Sequence, residues 1–248
     1  MKRTIPKLLA AFLLAPVLAF AQADYAREKR WADEISPAIL VGDPLYLALK
    51  SGHRFLVIYA PAAPARAGVI VVHGLGVHPD WGLINPLRSR LADLGYATLS
   101  VQMPVLAADV RDDQYPPLFP EAAERLQAAV AFLRGKGHKK VAVVSHSAGS
   151  SMTNFFLNQT ADAPIDAWVA IGTPGVFAKP SSFRAPVLDL FGENDLPAVL
   201  VNAEKRAAAI RRVRGSAQIQ VAGADHFFAG MEAELVKQVR QYLDQKLR

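Results

Sequence analysis

The chain has 248 residues, of which 52% are hydrophobic, so it can bury one sizeable core and we expect a single folded domain. It carries 28 lysine and arginine residues against 22 aspartate and glutamate residues. Because it contains no cysteine, disulfide bonds, thiolate catalysis and thiolate metal sites are excluded.

Residues 1–23 have the layout of a secretory signal peptide. Three basic residues precede an apolar run, 8–20, and Ala21-Gln22-Ala23 has the small-x-small pattern of a cleavage site. We therefore expect a mature domain over 24–248 and a periplasmic or secreted product without stable membrane insertion. An uncleaved anchor is the alternative, although the run is shorter than the roughly 20 residues that a membrane helix needs. Three of the 28 basic residues lie in this leader, and the remaining 25 against 22 acidic residues do not indicate a nucleic-acid partner.

From residue 68 onward, short apolar runs alternate with longer helical patterns, which is typical of βαβ units around a parallel sheet. Upstream, two further strands joined by a four-residue turn predict an antiparallel hairpin at the edge of that sheet. The predicted hairpin strands are 45–49 and 54–60, and the predicted parallel strands are 69–73, 97–102, 141–145, 167–171, 187–191 and 218–222.

Helical patterns fill the spaces between these strands. Apolar residues recur at spacings of three and four in 121–134 and again in 231–247, and a shorter helix fits 150–158. The sequence therefore predicts an α/β fold with a mostly parallel central sheet, helices on both faces and antiparallel N-terminal edge strands.

Two connections bear on how open a site in this fold is. The span 103–120 is rich in proline and too long for an ordinary connection, so it is either a cover over a site or a passive surface loop. The connection 172–186 is short and broken by glycine and proline, so we expect no large helical cap.

The stretch VVSHSAGSS, 143–151, passes from an apolar strand through small residues into a helix. This is the layout of a nucleophile elbow, in which a serine occupies a strained strand-to-helix turn between small residues. The motif is S-x-S-x-G, with Ser145 in the place of the usual first glycine and Ser147 as the candidate nucleophile. The alternative is that these serines only cap the helix N-terminus.

A serine nucleophile needs a base and an orienting acid, and both residue types follow other predicted strands. Asp195 follows the strand 187–191, and His226 follows the strand 218–222. The chain order Ser147, Asp195, His226 is the order found in α/β-hydrolases.

Three other carboxylates lie near these strand ends. Asp189 is in mid-strand, and Asp225 adjoins His226 and would point away from its ring. Glu193 is the nearest alternative to Asp195 as the orienting acid.

Acyl transfer also needs donors for the oxyanion of the transition state. The turn His73-Gly74-Leu75-Gly76 follows the strand 69–73, and the backbone N–H groups of Leu75 and Ala148 are the expected donors. A plain glycine-rich turn is the alternative. No pair of histidine, aspartate or glutamate residues has metal-ligand spacing on a predicted helix, so we expect neither metal nor cofactor.

These residues resemble the α/β-hydrolase superfamily over essentially the whole mature chain. More narrowly, HGLGVHPDW at 73–81, LSVQMPVL at 99–106 and GADHFF at 223–228 are similar to an exported bacterial group without an assigned function. The resemblance implies the α/β-hydrolase fold and no particular substrate. It also implies nucleophile, acid and base roles for Ser147, Asp195 and His226.

The expected function is that of a serine hydrolase acting on an ester or related acyl bond of a small molecule. A thioesterase, amidase or peptidase uses the same groups and differs in the pocket, which the sequence does not reveal. A non-catalytic envelope protein that binds a ligand on the same scaffold is the alternative from another class. The oligomeric state stays open.

Overall fold

Eight strands form one sheet in the computed structural model, which describes residues 23–160, 165–180 and 183–247. They are β1 (Asp43–Ala48), β2 (Arg54–Ala60), β3 (Gly68–Val72), β4 (Ala97–Val101), β5 (Val141–His146), β6 (Ala167–Ile171), β7 (Val187–Asn194) and β8 (Ala217–Asp225). Their order across the sheet is β1-β2-β4-β3-β5-β6-β7-β8. β2 pairs antiparallel with both β1 and β4, and every other pair is parallel. The predicted hairpin and the mostly parallel sheet are confirmed.

Helices cover both faces of this sheet. They are α1 (Tyr25–Ile35), α2 (Ile84–Asp93), α3 (Phe119–Gly135), α4 (Ala148–Gln159), α5 (Pro197–Leu200), α6 (Ala203–Ile210) and α7 (Glu232–Lys246). α3 and α4 pack on one face through a cluster that includes Val143 of β5, and α2 and α7 pack on the other through a cluster that includes Val144. Successive side chains of a strand point to opposite faces, so β5 is buried on both sides.

β7 and β8 extend beyond the ends that the sequence predicts. They continue to Asn194 and Asp225, which pair with each other across the sheet. Of the six residues added at these ends, Glu193, Asn194 and Asp225 are polar and the others are glycine or alanine, so the apolar runs end before the strands do. Because Asp195 and His226 directly follow this pair, two neighbouring strands bring both side chains to the same place.

α1 lies outside the elements that the sequence predicts. Its buried residues are Glu28 and Ala32, so no apolar stripe marks the side that faces the protein. Glu28 instead accepts two hydrogen bonds from the fully buried Arg125, at 2.9 and 3.0 Å. The helix begins after Asp24, whose Oδ1 accepts a hydrogen bond from the Arg27 N–H at 2.8 Å.

The span 103–120 packs against the body of the protein. Two short 3₁₀ turns, Asp112–Gln114 and Pro116–Leu118, interrupt it. Its exposed part is confined mainly to 107–114, whereas its large apolar side chains belong to the core. These core residues are Met103, Leu106, Tyr115 and Leu118.

The connection 172–186 contains no α-helix in its described parts, 172–180 and 183–186, as expected for a fold without a large cap. Among the residues that the structure describes, no helix combines the length and the apolar composition of a membrane span. The predicted signal peptide lies outside the described residues except for Ala23.

Candidate active site

Ser147 occupies the turn between β5 and α4. Its backbone angles are φ 55° and ψ −130°, a conformation that costs free energy for any residue with a Cβ. The N–H of Ser147 donates to the carbonyl of Ile171 at 2.8 Å, which ties the turn to the neighbouring strand β6. Its side chain makes no capping hydrogen bond to α4, so helix capping does not explain this serine.

The small residues on either side of Ser147 are needed for different reasons. A Cβ added to Gly149 would lie 2.3 Å from the carbonyl oxygen of His73, so only glycine fits at this close approach. Ser145 is buried, and its Oγ accepts a hydrogen bond from the indole Nε1 of Trp168 at 2.8 Å. It also lies 3.0 Å from the Oγ of Ser150. The hydroxyl in the place of the usual glycine therefore has polar partners.

The structure brings Ser147, Asp195 and His226 together. The Nε2 of His226 lies 3.0 Å from the Oγ of Ser147, and its Nδ1 lies 2.6 Å from the Oδ1 of Asp195. Asp195 and His226 are both buried. Since an ionised carboxylate only accepts hydrogen bonds, Nδ1 donates to Asp195, and the Nε2 lone pair faces the serine hydroxyl.

Asp195 is held in its ionised form. Its two oxygens accept hydrogen bonds from the N–H groups of Leu196 and Gly192, at 2.8 and 3.2 Å. Burial alone would raise the pKa of Asp195, but the hydrogen bond and charge of His226, together with these amides, hold that pKa below its ordinary value. A Cβ added to Gly172, which has a φ of +54°, would lie 3.0 Å from the His226 ring, so this glycine leaves room for the imidazole.

The three alternative carboxylates bind other groups. Asp189 pairs with the fully buried Arg206 at 2.9 and 3.0 Å. Asp225 accepts hydrogen bonds from two amides of the loop after His226. Glu193 is exposed and accepts a hydrogen bond from the N–H of Gly223 at 2.8 Å. In the described part of the chain, none of these three carboxylates contacts the His226 ring, whereas Asp195 does.

His146, next to the candidate nucleophile, contacts His226 through its own imidazole. Its Nε2 donates to the backbone carbonyl of His226 at 2.9 Å, and the two ring centroids are 4.7 Å apart. Burial lowers the pKa of His146 to about 4, so the ring is neutral at pH 7. From the sequence, His146 can be recognised only as part of the elbow motif. Its contact with His226 could not be predicted, because the two residues are far apart in the chain.

His73 fixes the turn that is expected to bind the oxyanion. Its Nδ1 donates to the carbonyl of Gly74 at 2.7 Å, and its Nε2 accepts a hydrogen bond from the N–H of Met103 at 2.9 Å. Burial lowers the pKa of His73 to about 3, and the ring is therefore neutral. The Gly74 carbonyl and the Leu75 N–H belong to one peptide plane, so holding the carbonyl also orients that N–H.

The two expected oxyanion donors belong to segments that lie close to Ser147. The turn carrying Leu75 approaches the elbow closely, since a Cβ on Gly74 would lie 3.2 Å from the Cβ of Ser147. Ala148 is the first residue of α4. In the described residues, neither the Leu75 nor the Ala148 N–H donates to a backbone carbonyl in the turns and loops.

A cavity of about 520 Å³ lies between α1 and the β1–β2 hairpin. Its lining includes Tyr25, Glu28, His53 and Phe55 and none of the five predicted site residues. The candidate active site is therefore defined by hydrogen-bond geometry and not by this cavity. Within the described ranges, no three histidine, aspartate or glutamate side chains are grouped so that they could hold a metal ion.

A mostly parallel eight-stranded sheet, with a serine turn after β5 and an acid and a histidine after β7 and β8, is the arrangement of the α/β-hydrolase fold. The chain has this fold.

Comparisons with known proteins agree on the fold. An α/β serine hydrolase homologue from Coxiella burnetii is 17% identical, with a TM-score of 0.62, over 83% of this chain and 99% of that one. Dienelactone hydrolase from Anabaena variabilis is 20% identical, with a TM-score of 0.63, over 83% and 99%. An esterase from Pyrococcus furiosus is 15% identical, with a TM-score of 0.66, over 83% and 93%.

A family described as "Protein of unknown function (DUF3530)" matches residues 47–117, which is less than half of the chain. The match includes the turn that carries Leu75 but none of Ser147, Asp195 and His226. No curated protein matches the sequence.

Proposed function

We propose that the protein is a serine hydrolase that cleaves an ester or a related acyl bond. One observation carries the proposal: Ser147 lies in a strained turn with its Oγ 3.0 Å from the Nε2 of His226, whose Nδ1 lies 2.6 Å from Asp195. A nucleophile bonded to a base, which is in turn bonded to an orienting acid, is the arrangement that activates a hydroxyl.

In the first half of the reaction, the Oγ of Ser147 attacks the substrate carbonyl and its proton passes to the Nε2 of His226. The N–H groups of Leu75 and Ala148 stabilise the negative charge that develops on the carbonyl oxygen. Asp195 stabilises the imidazolium and keeps the ring oriented. His226 then gives the proton to the leaving group, and an acyl group remains on Ser147.

In the second half, a water molecule replaces the leaving group. His226 removes a proton from the water, the resulting hydroxide attacks the acyl-serine, and the proton returns to Ser147 as the acid departs. No metal or cofactor takes part in the proposed steps. Export to the periplasm or the medium is part of the proposal, and the leader pattern in 1–23 supports it.

Purified mature protein tests the proposal in two assays, labelling by a fluorophosphonate probe and turnover of a panel of chromogenic esters, thioesters and amides. We expect labelling and ester turnover, because both need an activated serine. Absence of both would support a ligand-binding scaffold without catalysis, and a preference for thioesters or amides would redefine the leaving group.

The variant Ser147→Ala should fold normally, lose labelling and lose turnover by a factor on the order of 10⁴. Ser151→Ala is the matched control, because Ser151 lies on the next turn of the same motif and outside the proposed machinery. Turnover by Ser147→Ala at the wild-type rate would rule out Ser147 as the nucleophile.

A further inference from the structure

Helix α1 reaches the turn that carries the proposed oxyanion donor Leu75. The contact is made by Arg27, whose Nη2 donates to the carbonyl of Gly76 at 3.1 Å. Its Nη1 donates to the carbonyl of Leu106 at 2.7 Å. One guanidinium group therefore joins the residue after Leu75 to the segment that follows β4.

The guanidinium group of Arg27 is itself held in place. It lies over the ring of Trp31, one turn further along α1, at 4.5 Å from the ring centroid. Trp31 packs edge-on against His78 at 5.8 Å, which is a second contact between α1 and the loop after β3. α1 is fixed to the body of the protein independently of Arg27, through Glu28 and its two hydrogen bonds from Arg125.

Arg27 and His73 hold the same turn from opposite ends. His73 binds the Gly74 carbonyl ahead of Leu75, and Arg27 binds the Gly76 carbonyl behind it. Both side chains also bind the segment after β4, at Met103 and at Leu106. The Leu75 peptide thus lies between two carbonyl groups that His73 and Arg27 bind, and both of these side chains also bind the segment after β4.

We infer that Arg27 is a positioning residue for the proposed oxyanion hole, and that α1 is part of the active-site scaffold. The inference rests on the proposed function. The side-chain hydrogen bonds of Arg27 go to Gly76 and Leu106 and not to Ser147. Arg27 therefore acts indirectly, by fixing the position of the neighbouring Leu75 peptide. A displacement of such a donor by about 1 Å can reduce the rate by about a hundredfold, because the donor must lie within hydrogen-bond distance of the oxygen on which charge develops.

An arginine suits this position because two carbonyl groups must be bound at once. The planar guanidinium group presents several N–H donors in a fixed arrangement, whereas a lysine ammonium group is a single flexible donor centre. Lysine at position 27 should therefore retain one of the two contacts and part of the effect.

The test compares Arg27→Met and Arg27→Lys with Arg30→Met, which changes an exposed arginine on the same helix. For Arg27→Met, we expect kcat to fall by about ten- to a hundredfold while KM stays within about twofold. Arg27→Lys should give an intermediate kcat, and Arg30→Met should match the wild type. Circular dichroism and thermal melting check that each variant is folded.

A second measurement separates positioning from a general loss of structure. A trifluoromethyl ketone forms a tetrahedral adduct with the serine and places an oxyanion in the hole, whereas the product acid binds without one. Arg27→Met should weaken the ketone by the same factor as kcat and leave product inhibition unchanged. If Arg27→Met does not fold, the same pair of inhibitors is applied to Arg27→Lys.

A wild-type kcat in folded Arg27→Met, or equal weakening of both inhibitors, would overturn the inference. Such results would leave the proposed function intact, because the wild type would still be labelled and active. Absence of labelling and turnover in the wild type would instead overturn both.

Discussion

The hydrogen bond between Asp195 and His226 sets the protonation state that the proposed reaction needs. An ionised Asp195 keeps the proton of His226 on Nδ1, so Nε2 is free to accept the serine proton. An amide at position 195 could donate a hydrogen bond to Nδ1 and would then favour the wrong tautomer.

We therefore expect Asp195→Asn to lower kcat by about 10⁴-fold without unfolding the protein. Glu193→Gln is the matched control, since Glu193 is exposed and accepts a hydrogen bond from Gly223 instead. Steady-state kinetics on a chromogenic ester measure both variants. The opposite ranking would make Glu193 the orienting acid.

Three buried residues make the stability of the protein depend on pH. Burial lowers the pKa values of His73 and His146 to about 3 and about 4, and burial raises the pKa of Glu28 to about 6. Below about pH 6.5 the unfolded chain binds protons at both histidines, while the native protein does not, so acid favours unfolding. Glu28 has the opposite effect below about pH 6, because its native carboxyl group is protonated first.

We expect the free energy of unfolding to fall between pH 6.5 and pH 5 by roughly 1 kcal/mol per pH unit for each histidine, with Glu28 offsetting part of this loss. Urea titrations at several pH values measure the slope. Glu28→Gln removes the offsetting group, so its slope should be steeper than that of the wild type below about pH 6. Stability that is constant or rises on acidification would contradict the assignment of buried neutral histidines.

At the scale of elements, the sequence predicted the strands and the helices α3, α4 and α7 from their apolar patterns, but it did not predict α2, whose buried face is also mainly apolar. β3, β4, β5 and β6 are buried along their whole length and can be read from runs of hydrophobic residues. α1 could not be read in this way, because an ion pair between Glu28 and Arg125 attaches it and the partners are far apart in the chain. The ends of β7 and β8 were missed because their last residues are polar.

The residues of the candidate site also divide into those that a local sequence pattern predicts and those that it does not. Ser147, Asp195 and His226 each follow a predicted strand, so the topology of the sheet alone brings them near one another. His146 and Arg27 make contacts that depend on how separate segments pack, and no local pattern encodes these contacts. For the same reason, the sequence did not decide whether 103–120 covers the site. Only the structure shows that the large apolar side chains of this segment are buried in the core.

The burial of 103–120 predicts how this segment responds to substitution. Leu118→Ala should lower the free energy of unfolding by about 2–5 kcal/mol, because it leaves a cavity in the core. Gln114→Ala, at an exposed position of the same segment, should change it by less than about 0.5 kcal/mol. Urea unfolding of both variants is the measurement, and equal effects would show that the segment does not contribute to the core as described.

At the scale of the whole molecule, the candidate site lies at the edge of the sheet that is formed by the carboxyl ends of the parallel strands. β3, β5, β7 and β8 run in the same direction, so the segments that follow their carboxyl ends meet there. The proposed oxyanion turn, nucleophile elbow, acid and base come from these four segments. α1 approaches the same edge through Arg27, which links the start of the described chain to the site.

The beginning of α1 also bears on where the leader ends. Asp24, the first residue of the expected mature chain, caps α1 with its side chain, and its backbone N donates to the carbonyl of Val105 at 2.7 Å. Cleavage after Ala23 would convert that N–H into an ammonium group that can still donate to Val105. Cleavage further downstream would remove the cap and the first turn of the helix that carries Arg27.

We therefore expect the exported protein to begin at Asp24, and intact-mass analysis of the periplasmic fraction should give the mass of residues 24–248. Ala23→Arg disrupts the small-x-small pattern and should accumulate as the uncleaved precursor, which serves as the control. A wild-type mass that includes Met1 would support the uncleaved anchor. A start within α1 would mean that the Asp24 cap is dispensable, and the mature protein should then show the low kcat expected of Arg27→Met if the lost segment includes Arg27.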